Sequence, residues 1–161
     1  MKRAKYRMSR LNCICVDESN ESERAFEWYA ANHHRTGDVV GIIHVHQMPS
    51  LPSMGLKAGS IPITEDYHHS IKKSVEKSNA LMNKYKDFCV NRINCDYKVL
   101  LTDSHHSPGQ LICEIAAKND AAVIVMGQRG LSTFSRALLG STSDYVLHHS
   151  DRPVIVVPRK E

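Results

Sequence analysis

No apolar run in this 161-residue sequence approaches the roughly 20 residues that a membrane-spanning helix needs. Lys2-Arg3 is not followed by the apolar stretch of a secretory leader, so a cytoplasmic protein with no membrane partner is the expectation. Internal repeats, low-complexity tracts and a domain linker are also missing, and the length suits one domain with a sizeable core. The five cysteines, Cys13, Cys15, Cys89, Cys95 and Cys113, fall in no metal-ligand spacing and leave one odd thiol. That usage fits a reducing compartment rather than a disulfide scaffold. Cys13 and Cys15 alternate along an expected strand, which places both on one face as small core hydrophobes.

Composition is ordinary for a folded chain, with 42% apolar and 24% charged residues. The net charge of +4 is concentrated at one end: the first ten residues hold Lys2, Arg3, Lys5, Arg7 and Arg10 and no acid, so the remainder nets −1. Residues 1–9 are read as a basic, solvated tail and residues 10–161 as the folded domain. A nucleic-acid partner is not expected, because the body lacks the basic excess that phosphate binding requires.

Strand and helix patterns alternate along the chain. Leu11 to Val16 reads as a first strand, and Asn20 to about His34 as a helix capped by Ser19 or Asn20, with Ala25, Phe26, Tyr29 and Ala30 on one face. Val39 to His46 is a second, nearly continuous apolar strand. Gln47 to Ile63, with Pro49, Pro52, Gly55, Gly59 and Pro62, excludes regular structure. Connections of that length are commonly lids or disordered, and Lys57 is its candidate phosphate contact. Thr64 is expected to cap a long helix packed through Ile71, Val75, Met82, Tyr85 and Cys89. Tyr97 to Leu101 follows as a strand. Ser107 and Pro108 then start a helix with Leu111, Ile112, Ile115 and Ala116 inward. The apolar run Ala121–Met126, a short helix and Val154–Val157 complete an α/β pattern of parallel strands and crossover helices.

The densest functional signal follows the run ending at Met126. Gly127-Gln128-Arg129-Gly130 stands at a strand end, where open α/β sheets place ligands. Gly140-Ser141-Thr142 comes just before a short helix, whose first N–H groups attract phosphate. Glycine spacing alone leaves a second reading open: Ser141-x-x-Asp144 is also a capping box, with Gly127 and Gly130 as plain turn residues. A Walker loop is excluded, since no Gly-Lys-Ser/Thr ending is present, and so is the dinucleotide fingerprint.

Gly127-x2-Gly130-x9-Gly140-Ser141 resembles the ATP-binding signature of the universal stress protein family, in its UspA-like, ATP-binding subgroup. The likeness continues through Val16-Asp17-Glu18-Ser19, Ile42-Ile43-His44-Val45 and Arg152-Pro153-Val154-Ile155-Val156-Val157-Pro158, in order along nearly the whole chain. It implies a Rossmann-like open sheet of five parallel strands in the order 3-2-1-4-5, with helices on both faces. It also implies ATP or AMP as ligand, with Mg²⁺ accompanying the phosphates. Gly127, Arg129, Gly130, Gly140, Ser141 and Thr142 would lie at the phosphates and ribose. Cys15, Val16, Asp17, Val45 and Met126 would lie toward the nucleoside, Asp17 as the polar contact. Relatives commonly pair through the last strand, so a homodimer through Val154–Val157 is implied as well, since an apolar sheet edge favours pairing.

Other candidate groups carry less. Asp17 is equally placed to form a turn or cap before the first helix. Eight of the ten histidines fall in adjacent pairs, a spacing that diverges on a helix and chelates one ion poorly, so no metal is expected. His44 and His46 share a strand face without a nearby Cys or acid and read as satisfied core or loop histidines. Ser104-His105-His106 lacks a nucleophile elbow and reads as a polar loop. The function expected is a nucleotide-dependent switch or sensor in stress response. The alternative is a slow ATPase or phosphotransferase using the same site, for which no water-positioning residue is evident.

Overall fold

The computed structural model describes residues 9–49, 65–103, 106–128 and 139–159. Five parallel strands, β1 (Leu11–Cys15), β2 (Val39–His46), β3 (Asp96–Asp103), β4 (Val123–Gly127) and β5 (Val154–Val157), form one sheet in the order β3-β2-β1-β4-β5. The fold class and strand order expected from the sequence are both found. β1 pairs with β2 from Leu11 opposite Val39 to Cys15 opposite Ile43, and with β4 through Asn12 opposite Val123.

Residue alternation along the strands divides the core in two. Ile14, Val40, Ile42, Val123 and Val125 face α1 (Asn20–Asn32) and α2 (Glu65–Asn91), meeting Phe26, Tyr29, Met82, Tyr85 and Phe88. Leu11, Cys13, Cys15, Ile43, Ile124 and Met126 face α3 (Pro108–Lys118) and α4 (Ser141–His149), meeting Ile112, Ala116 and Val146. Cys13 and Cys15 are buried on one face, as alternation predicts. The chain leaves β1 for one face of the sheet and leaves β3 for the other. The carboxyl ends of the neighbours β1 and β4 therefore flank the point where connections diverge, which is where such sheets form a crevice.

Local chemistry sets the element ends. Ser19 caps α1, its hydroxyl accepting from Ser22 N–H, and Ser107 caps α3 with Pro108 at the first turn. α1 stops at Asn32 rather than His34, because the His33 and His34 N–H groups both turn back to the Tyr29 carbonyl. β1 ends one residue before Val16, although Val16 N–H still donates to the Ile43 carbonyl at 2.9 Å. β4 begins at Val123, since Ala121 N–H closes the end of α3 on the Ala116 carbonyl. β3 is longer than its apolar run, being paired with β2 along all eight residues.

The expected stripe of α2 needs correction. Met82, Tyr85 and Cys89 are buried, but Val75 is 42% exposed and Ile71 only partly covered. Ser74 and Ser78 face the sheet there instead, because β2 presents His46 and His44 to that part of the helix. Thr64, Lys57, Ser104, His105 and all of Gln47–Ile63 beyond Pro49 lie outside the described residues. Arg10, counted with the basic run, is instead held by Asp38: Nε donates to Oδ1 at 2.9 Å and Nη2 to Oδ2 at 2.5 Å. Among the described residues no helix is long and apolar enough to cross a membrane.

Candidate nucleotide cleft

A cleft of about 620 Å³ opens at the carboxyl edge of the sheet, a size suited to a small organic ligand. Its floor is the end of β1 and β4, with Cys15, Val16, Met126 and Gly127. One wall is the loop Asp17–Ser19 with the first turn of α1; another is the end of β2, from Ile43 to Gln47. The far wall is the start of α4, from Gly140 to Ser143, beside Pro108 and Ile112 of α3. The structure thus brings together Cys15, Val16, Asp17, Val45, Met126, Gly127, Gly140, Ser141 and Thr142. Arg129 and Gly130 lie outside the described residues.

The two glycines that line the cleft, Gly127 in the floor and Gly140 in the far wall, have different physical reasons. At Gly127 a Cβ would sit 2.3 Å from the Glu21 carbonyl oxygen, so this glycine lets the first turn of α1 press against the end of β4. Gly140 has ordinary extended dihedrals, φ −64° and ψ 151°, and caps α4 without any side-chain hydrogen bond. The capping-box reading is therefore corrected: Ser141 is the first helical residue, not the cap, and the Ser143 hydroxyl donates back to the Gly140 carbonyl at 2.9 Å. A glycine cap leaves the leading N–H groups without a side-chain acceptor, so the positive end of α4 faces the cleft.

Asp17 plays the turn-forming part that its position allows. Its Oδ1 accepts from Ser19 N–H at 2.9 Å and from the Ser19 hydroxyl. Ser22 Oγ braces the same loop, donating to the Asp17 carbonyl at 2.8 Å and lying 2.9 Å from the buried Tyr85 hydroxyl. The carboxylate is thereby fixed at the rim, an arrangement suited to orienting a hydroxyl or a hydrated cation. Burial pushes the Cys15 thiol well above its usual range, so this thiol in the floor stays protonated and offers no nucleophile.

Among the lining residues that the sequence did not place at the site are His44, His46, Ser74, Lys77 and Ser78. His44 Nδ1 lies 3.0 Å from the Val16 carbonyl and Nε2 3.1 Å from Ser78 Oγ. A carbonyl only accepts, so Nδ1 carries a proton, and in the tautomer this fixes Nε2 accepts from the Ser78 hydroxyl. His46 Nε2 pairs with Ser74 Oγ at 2.8 Å. The reading of both histidines as satisfied holds, but they are satisfied at the cleft wall. Lys77 stands across the mouth, its ammonium 4.0 Å from Glu18 Oε2. Serines four apart on a helix, opposite alternate histidines on a strand, were the available signal. Among the described residues, no three His, Cys, Asp or Glu side chains converge on a metal position.

The sequence profile described as the universal stress protein family matches residues 11–158. The universal stress protein PHOS32 of Arabidopsis thaliana is 32% identical over 154 residues, covering 89% of this chain and 62% of that protein. The chain thus spans about three-fifths of the length of that plant relative. The solved universal stress protein UspA of Lactobacillus plantarum superposes with a TM-score of 0.71 at 19% identity, covering 94% of this chain and 98% of the other. A universal stress protein family member from Arabidopsis thaliana, solved with AMP bound, gives 0.66 at 17% identity, covering 94% and 92%.

Proposed function

We propose, for a chain that belongs to the universal stress protein family, that the carboxyl-edge cleft binds an adenine nucleotide, ATP or AMP. The observation that carries the reading is the start of α4, which points a glycine-capped, uncapped-by-side-chain helix end into a cleft of nucleotide size. The AMP bound to the Arabidopsis relative of the same fold supports the choice of ligand. Gly140, Ser141 and Thr142 hold the phosphates and ribose together with Gly127, Arg129 and Gly130. Asp17, Val45, Cys15, Val16 and Met126 meet the nucleoside end, and Mg²⁺ arrives with the phosphates rather than at a protein cage. The occupied state acts as a switch or sensor in stress response within the cytoplasm, with hydrolysis slow or absent. Calorimetric titration with ATP and AMP, with and without Mg²⁺, tests this beside mass spectrometry of the nucleotide that co-purifies. Saturable binding of one nucleotide per chain is expected. No binding of either sinks the reading, and turnover above about one per second would move it to the kinase range.

The chain forms a homodimer through β5. This strand is at a sheet edge and its Val154, Ile155 and Val156 remain only partly buried, which favours pairing with a second copy. Light scattering at micromolar concentration is expected to give twice the chain mass; a monomer would refute it.

A further inference from the structure

Cys89 and Cys95 take no part in the cleft and sit at the opposite edge of the sheet. Cys89 is fully buried near the end of α2; Cys95 is partly exposed just before β3 and lines an open cavity with His34, Asp38, Asn94 and Tyr97. The Cys95 N–H donates to the Cys89 carbonyl at 3.1 Å. With ordinary bond lengths, that bond keeps the two Cα atoms within about 7 Å, inside the reach of a disulfide. Cys89 is enclosed and Cys95 reaches the cavity, so Cys95 is the thiol that a small oxidant meets first. We propose that Cys89 and Cys95 form a peroxide-reactive dithiol, with Cys95 as the attacking thiol and Cys89 as the resolving one, which closes to a disulfide across the α2–β3 turn.

The remaining cysteines explain why reaction would be confined to this pair. Burial pushes the Cys13 thiol up to about 12, Cys15 well above its usual range, and Cys113 upward as well. Cys95 goes the other way, because the hydrogen bond from Cys89 favours its thiolate more than burial, Asp96 and Asp38 oppose it. A lowered, accessible thiolate beside a second thiol is the arrangement that oxidants select. In the first step the Cys95 thiolate attacks one peroxide oxygen and the O–O bond breaks. The departing hydroxide takes up the proton that Cys95 released, leaving water and a sulfenic acid. The Cys89 sulfur then attacks the Cys95 sulfur and the S–O bond breaks, hydroxide again leaving as water with the Cys89 proton. Two thiols lose two electrons and two protons, and one peroxide becomes two waters. Because the two Cα atoms are already within disulfide reach, no unfolding of α2 is required between the steps.

Arg92 lies between the two cysteines, so trypsin separates them and a disulfide shows as a linked pair of peptides, Asp87–Arg92 with Ile93–Lys98. Treatment of the full chain with a small excess of hydrogen peroxide, then alkylation, digestion and mass spectrometry, is expected to yield that pair, reversible by a dithiol reductant. Before oxidation, Cys95 should react with an alkylating reagent about tenfold faster than Cys113. Cys89→Ser in the presence of dimedone should accumulate its adduct on Cys95. Oxidation of Cys113, Cys13 or Cys15 while Cys95 stays alkylatable in the wild-type chain would overturn the proposal, with no dependence on how any variant folds. So would a dimedone adduct on another cysteine in folded Cys89→Ser.

Discussion

At the amino ends of β1 and β2 the polar groups close on one another; at the carboxyl ends of the same strands they surround an open cleft. On the amino side, Asp38 is nearly enclosed and accepts from Arg10, from Asn12 Nδ2 at 3.0 Å and from Arg35 N–H at 3.0 Å. Asn12, with no exposed surface, also donates to the buried Tyr29 hydroxyl at 2.9 Å. On the carboxyl side, Asp17 and the His–Ser pairs are fixed by local bonds, while the first turn of α4 meets the cleft without a capping side chain. Closed polar networks hold a fold together, because breaking one leaves buried groups unpaired. Open donors add little to stability and remain available to a ligand. The two ends should therefore respond oppositely to mutation.

The largest effect is expected at the closed end. Asp38→Ala strips four donors on three residues of their acceptor and leaves the partly covered Arg10 guanidinium without its partner, a loss of about 3 kcal/mol. Nucleotide affinity should stay unchanged, since the cleft is at the other edge. Urea unfolding and calorimetric titration of the same variant check both halves. Acid titration adds a signature. Burial alone would raise the Asp38 carboxyl, but the hydrogen bonds from Arg10 and Arg35 and the Arg10 charge outweigh it and hold the group below its usual value. A depressed folded pKa gives stability that is present above the unfolded value, about 3.9, and lost as pH falls through the lower folded one. Wild type should lose this contribution below about pH 4, and Asp38→Ala should show no such component.

At the open end the order reverses. Gly140→Val keeps a backbone that valine readily adopts, since φ is −64°, so stability should move by no more than about 0.5 kcal/mol. Its branched Cβ would hold phosphate oxygens away from the N–H groups of α4. Losing two charge-assisted bonds at roughly 1.5–3 kcal/mol each should weaken ATP binding about a hundredfold or more. Titration with ATP and Mg²⁺, beside circular dichroism, reads both quantities. Wild-type affinity in the folded variant would place the phosphates elsewhere.

How much of this contrast the sequence carried depends on the range of each interaction. Alternating apolar strands and amphipathic helices are local, and Ser19, Ser107 and Pro108 mark helix starts within a few residues of where they act. The glycine-rich wall was legible as a motif, yet the two roles within it were not. That Gly127 serves packing depends on the Glu21 carbonyl, more than a hundred residues earlier in the chain. The His44–Ser78 and His46–Ser74 pairs join a strand to a helix across 34 and 28 residues. Spacing puts each pair of side chains on one face of its own element but does not match strand to helix, and the serines there displaced Val75 from the face that an apolar stripe assigned to it. The Arg10–Asp38 pair was hidden for the same reason, the two residues being distant in sequence.

The smallest expected effect lies where the two kinds of region meet. Ser78 is 7% exposed and its hydroxyl donates to His44 Nε2 at the cleft wall, so it belongs to the open edge by position and to a closed pair by bonding. Ser78→Ala removes one neutral hydrogen bond and leaves His44 Nε2 an acceptor beside a cleft that admits water, a cost of about 1 kcal/mol. His44 should keep its Nδ1 proton, because the Val16 carbonyl at 3.0 Å still accepts it. Nitrogen chemical shifts of the ring would then report the same tautomer in variant and wild type. Nucleotide affinity should fall by less than about threefold, since the bond lost corresponds to wall stiffness rather than to a contact with phosphate. A collapse of affinity as deep as that of Gly140→Val, with the tautomer retained, would mean that a satisfied pair can be as much a part of binding as an open donor. The division between the two ends of the sheet would then fail at its boundary.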